Sequence, residues 1–222
     1  MKSAVIGRVE GDLQRVESLR RHRAAEREDL LEQVEVTGVK RTADGLDITQ
    51  GRAASQEQTT EEQITLDPDT IRKERVTETN TKYTDFIAVP SEFVGIATNE
   101  GSFLFDLLER DRGVPISRVD VDIDDFAGSF PKATPWKVGF YEHGNNAENG
   151  VIHGENVLED EQFGGALASS KKNQLGLRMT HDGQEFKMLI TRSGYVSVYE
   201  PTNLDTAQFA QFVIDKILPH TD

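Results

Sequence analysis

From Leu175 to Leu218 the order of residues leaves little freedom in what the chain can form. Leu175–Thr180 reads as a strand, His181-Asp182-Gly183-Gln184 as a turn, and Glu185–Thr191 as a second strand. Arg192-Ser193-Gly194 turns the chain again. Tyr195-Val-Ser-Val-Tyr199 then alternates apolar and small polar side chains, as a half-buried strand does. Glu200-Pro201 stops that strand, and Thr202–Asp205 offers side chains that can cap a helix. In the run from Ala207 to Leu218, Ala210, Val213, Ile214 and Ile217 recur at helical spacing, and Pro219 closes it. A three-stranded meander covered by a helix is therefore the expected C-terminal unit.

Charge is the next constraint. The 222 residues carry 39 acidic and 25 basic side chains, a net charge of -14, with 10 Lys and 15 Arg. Acid excess with few Lys and no Cys resembles the composition of proteins from salt-adapted cells. Carboxylates spread over such a surface hold water and cations, so an acidic run is weak evidence for a site. The missing Cys excludes a disulfide scaffold, a thiolate nucleophile and a Cys-based zinc site. The first residues lack the apolar core of a signal peptide, and no apolar run is long enough to span a bilayer as a helix. The expected location is cytoplasmic.

Taken in order, residues 10–34 read as a helix with the stripe Leu13, Val16, Arg20, Arg23, Arg27, Leu30 and Val34. Arg20, Arg21, Arg23 and Arg27 on it are candidates for binding nucleic acid or an acidic partner, or for pairing with nearby Glu residues. Val34, Val36 and Val39, the turn Thr42–Gly45, and Leu46-Asp47-Ile48 predict a hairpin. Residues 50–63 have almost no apolar content and read as a flexible loop. Phe86–Val89 and Phe93–Ala97 predict strands, followed by a short helix around Asp106–Arg110. Thr98-x-x-Gly101 and Thr191-x-x-Gly194 suggest one hairpin geometry used twice. The second of these, a strand, Ser193-Gly194, a strand and a helix, resembles a half-repeat of the TATA-box-binding protein family over about forty residues. Tyr195 replaces the basic residue that follows the turn in that family, and no counterpart of its paired intercalating Phe residues is present. The resemblance implies an architecture, not an activity.

Three segments carry residues capable of chemistry. Asp120, Asp122 and Asp124 alternate with Val119, Val121 and Ile123, which would set three carboxylates on one strand face. His143 and His153 lie opposite each other if the hairpin between them centres on Glu148. With Glu142 or Glu155 they would then hold a transition metal and its water. A turn centred on Asn149-Gly150 removes that pairing. Ser169-x-x-Lys172 matches a serine–lysine spacing without its partner motifs. Trp136, the only Trp, reads as a core anchor. No motif names a cofactor.

These readings predict an α+β protein: a mostly antiparallel sheet covered by a C-terminal helix, with an N-terminal helix and polar β-arm. Residues 1–80 would hold the helix, the hairpin arm and the flexible loop, and residues 81–222 the sheet domain. The preferred function is a non-enzymatic cytosolic interaction or oligomerisation protein of a salt-adapted organism, acting through the N-terminal helix. Its partner would be another protein or a second copy, with no membrane involved. The alternatives are nucleic-acid binding through the Arg-rich helix, and a metal-dependent hydrolase at His143, His153 and Glu155.

Overall fold

The computed structural model describes residues 1–24, 29–142, 148–181 and 183–222. Twelve strands join in one antiparallel sheet. They are β1 (Ser3–Val9), β2 (Leu19–Arg23), β3 (Leu30–Arg41), β4 (Asp47–Asp67), β5 (Thr70–Val89) and β6 (Phe93–Ile96), then β7 (Ile116–Arg118), β8 (Thr134–Tyr141), β9 (Asn149–His153), β10 (Lys171–His181), β11 (Gln184–Thr191) and β12 (Tyr195–Glu200). The order across the sheet is β2-β3-β4-β5-β6-β1-β12-β11-β10-β8-β9, with β7 alongside β1. Four α-helices are present among the described residues: α1 (Phe103–Arg112), α2 (Ile123–Gly128), α3 (Gly164–Ser169) and α4 (Thr206–Phe212). Single π and 3-10 turns carry α4 on to His220.

The expected α+β architecture with an N-terminal helix is overturned. Residues 10–34 hold two antiparallel strands, β2 and β3, paired from Leu19↔Val34 to Arg23↔Leu30. The helical stripe misled because a buried carboxylate hides the period of two. Leu30, Glu32 and Val34 are the inward positions of β3, and Glu32 is only 5% exposed. Arg110 of α1 reaches its Oε1 at 2.9 Å and Arg23 at 3.5 Å. Arg110 comes from outside the segment and Arg23 meets Glu32 only once β2 lies beside β3, so no local pattern reveals why Glu is tolerated there. The flexible loop expected over 50–63 lies instead within β4, paired with β5 residue by residue as far as Asp67↔Thr70. Thr-rich backbone makes a ladder without an apolar face.

The C-terminal meander and helix form as expected. β10 pairs with β11 and β11 with β12, and α4 starts with a capping box at Asp205 and Gln208. β1 lies at the centre and is antiparallel to both neighbours, β6 and β12. Each neighbour ends a meander, β3-β4-β5-β6 on one side and β8-β10-β11-β12 on the other, and each is followed by a helix, α1 or α4. Alternate residues of β1 feed two cores. Ala4 and Ile6 pack with Phe209, Ala210, Val213 and Ile217 from the C-terminal helix. Val5 and Val9 pack with Leu104, Leu107 and Leu108 of α1. The two helices therefore cover opposite faces. Gly7 lets α1 come close: a Cβ there would stand 2.7 Å from the Phe105 ring. The repeat expected from Thr98-x-x-Gly101 is displaced by one strand. Both turns close with a backbone bond of 3.0 Å, but Gly101 leads into α1 whereas Gly194 leads into β12. By topology β6 corresponds to β12, not to β11.

Candidate functional site

The N-terminal arginines do not form one surface. In β2, Arg20 points to the opposite face from Arg21 and Arg23. Arg21 forms an ion pair with Asp111, and Arg23 reaches Glu32 and the carbonyl of Gln56. Arg27 lies outside the described residues. The strand these residues occupy is a short, charged sheet edge, the kind of sequence that discourages further pairing.

The histidine hairpin takes a third register. Tyr141 pairs with Asn149 and Lys137 with His153, so a cation, not a second imidazole, stands opposite His153. His143 lies outside the described residues. His153 and Glu155 border a hollow with Trp136, Arg178 and Lys187. Among the described residues no three His, Asp or Glu side chains gather as a metal site.

The acidic run is not a strand face. Asp122 caps α2, its Oδ1 accepting from the backbone N–H of Asp124 at 3.0 Å and of Asp125 at 2.9 Å. Its neighbours cross-link distant elements. Asp124 binds the buried Lys172 ammonium at 2.5 Å, Asp125 binds His220 at 2.5 Å, and Asp120 binds Arg192 through both oxygens. The hydrogen bond that Arg192 donates to Asp120 raises the Arg192 pKa above its ordinary value. Lys172 is thus committed to Asp124, while the Ser169 hydroxyl donates to the carbonyls of Gly165 and Ala166. These ions act as a clamp rather than a reactive pair.

The feature that local reading missed is the outer part of β4 and β5. β3 pairs with β4 only as far as Ser55, and β6 pairs with β5 only from Phe86 onward. Beyond those points β4 and β5 pair with each other alone, as a ribbon whose outer twelve residue pairs extend about 40 Å at ~3.4 Å per residue. Among the described residues no further strand pairs with either outer edge of this ribbon. At the tip, Leu66 stands opposite Ile71, with Ile64 next along the same face. These three side chains are 77%, 71% and 60% exposed. Arg72 pairs with Asp67 at 2.8 Å and Lys73 with Glu62 at 2.5 Å. At the root, Arg52 grips Glu35 through two bonds of 3.0 and 3.1 Å, and the Tyr83 hydroxyl donates to Asp85 at 2.8 Å. The signal available in the sequence was Ile64-Thr-Leu66, the two-residue turn Pro68-Asp69, and Ile71.

Fold and site together define an antiparallel sheet protein with two opposed helical covers and a long, uncovered β-ribbon. Compared with known proteins, the chain matches no family model, no curated protein and no solved structure. The likeness of the Ser193-Gly194 hairpin to a TATA-box-binding protein half-repeat is therefore local. No helix among the described residues is long and apolar enough to cross a membrane.

Proposed function

We propose that this is a non-enzymatic interaction protein that self-associates through the β4–β5 arm, the occupant being the same arm of a second copy. The observation that carries this reading is the ribbon itself, with both edges open beyond Ser55 and three large apolar side chains exposed at its tip. A two-stranded ribbon alone in water is at best marginally stable, and long open edges are templates for pairing. Charge favours a second copy. Between residues 56 and 81 the only cations, Arg72, Lys73 and Arg75, stand among Asp67, Asp69 and Glu74 at a tip of balanced charge, while Glu57, Glu61, Glu62 and Glu78 line the shaft. Two arms side by side and antiparallel set the charge-balanced tip of one, rather than its acidic shaft, beside the acidic shaft of the other. Parallel packing would oppose like charges. The same charges disfavour a nucleic-acid role for the arm, since phosphate contacts need Lys and Arg. A cytosolic, high-salt setting belongs to this reading, and the acid excess supports its high-salt part.

Light scattering tests it. The full chain is expected to have twice its monomer mass. A variant carrying Ile64→Thr, Leu66→Thr and Ile71→Thr, or one in which a two-residue Asn-Gly turn replaces residues 59–78 and keeps Gln58 opposite Thr79, is expected to be monomeric. A monomeric wild type at high salt, or an unchanged dimer in both variants, overturns the proposal.

A further inference from the structure

α4 covers one face of the C-terminal meander, and the other face is open. Two irregularities in the sheet place aromatic rings on that open face. Leu177 pairs with Pro135 and Gly176 with Lys137, so Trp136 is an extra residue in β8. Met188 pairs with Val198 and Lys187 with Glu200, so Tyr199 is an extra residue in β12. Such bulges re-aim side chains and concentrate next to functional sites. Here the inward partners Leu177, Met188 and Val198 stay in the core, while the two bulged aromatics meet outside it with ring centroids 6.1 Å apart.

Trp136 is not the core anchor that its sequence setting suggests. Its indole lies across Gly176, where a Cβ would stand 2.5 Å from the ring, so only glycine allows the ring to lie against the strand. Its Nε1 is buried and has no hydrogen-bond partner among the described residues. Lys187 Nζ stands 5.1 Å from the centre of the indole ring, and Arg178 is directly opposite Lys187 on the neighbouring strand. Among the described residues neither cation is held by a carboxylate, unlike Arg192, Lys171 and Lys172, which all have acidic partners. A hollow of about 310 Å³ lies between these groups, His153 and Glu155, and Glu200 stands opposite Lys187 on β12.

The geometry points to a binding site for single-stranded nucleic acid, with one unpaired base stacked at Trp136 and its flanking phosphates on Arg178 and Lys187. An aromatic face beside basic side chains on an open sheet is the arrangement that holds single strands without reading their sequence. Lys187 over the indole marks that face as one that attracts flat or cationic groups, and a base replaces the ammonium while the ammonium moves to phosphate. A double helix offers no free base face, and an acidic peptide offers no ring. The net charge of -14 repels any polyanion at low ionic strength. At about 1 M salt the Debye length is about 3 Å, so only the local groups act.

Because Trp136 is the only Trp, its fluorescence reports this site alone. The full chain is titrated at high KCl with an oligo(dT) of about ten nucleotides. Saturable quenching is expected, together with binding of the labelled strand by anisotropy. Trp136→Leu is expected to weaken that binding about tenfold or more. Arg178→Ala and Lys187→Ala, at surface positions, are expected to weaken it and leave the melting temperature unchanged. Absence of quenching overturns the inference. Equal quenching by inorganic polyphosphate or by a poly-Glu peptide also overturns it, because stacking would then have no part. Wild-type affinity in both cation variants would overturn it as well.

Discussion

Glu32 occupies a position where an alternating strand calls for an apolar side chain, and its ion pairs with Arg110 and Arg23 make that possible. Arg110→Ala leaves a buried carboxylate with weakened support and is expected to cost about 2 kcal/mol in urea unfolding. Glu32→Leu restores the apolar alternation and frees half-exposed arginines to solvent, so it is expected to cost less than Arg110→Ala. Tyr83 gives a second test at this scale. Its hydrogen bond to Asp85 raises the phenol pKa above the ordinary value. A raised pKa means that the folded chain holds the proton longer than the unfolded chain. The associated stability is fully present below pH ~10 and is lost as pH rises through the folded pKa. An absorbance titration of Tyr83→Phe against wild type is expected to lose a phenolate that ionises above pH ~10. Loss of an ordinary one would contradict the Asp85 bond.

Each element of the sheet has its own reason for forming. α4 was readable because capping, periodicity and the proline stop all lie within one short stretch. Asp205→Ala removes the cap that accepts from Ala207 and Gln208 and is expected to cost about 1 kcal/mol in thermal unfolding. Phe209→Ala empties a fully buried site between sheet and helix and is expected to cost about 3–5 kcal/mol. β4 was unreadable as a strand over residues 50–63 because its order comes from the ladder with β5, which runs through polar residues to the turn at Pro68-Asp69. The β8–β9 register was unreadable for a related reason. Two turn centres were compatible with Tyr141–Asn156, and the pairing of Lys137 with His153 corresponds to neither.

At the level of the whole molecule, charge and architecture act together. With 39 acidic and 25 basic side chains, self-repulsion opposes both folding and pairing of copies until salt screens it. The melting temperature is expected to rise between about 0.1 M and 1 M KCl, where the Debye length falls from about 10 Å to 3 Å. A melting temperature that falls across that range would remove the salt-adapted reading. The two meanders around β1 bury opposite faces, so each half relies on the central strand and the molecule is expected to unfold in one step apart from the arm. Shortening the arm should leave the main transition in place, because Ile64, Leu66 and Ile71 take no part in either core.

The sequence alone determined the meander from Leu175 to Tyr199, the capped helix behind it and the acid-rich surface. In each case the deciding contacts or composition lie within a few residues or need no geometry. Only the tertiary structure decided that residues 10–34 are strands, that residues 50–67 extend as a ribbon, and that Trp136 faces outward over Gly176. Those outcomes depend on Arg110 reaching Glu32, on β5 pairing with β4, and on two bulges in separate strands. Contacts between distant residues decide all three, and only the tip of the arm, Ile64-Thr-Leu66 before Pro68-Asp69, leaves a local signal.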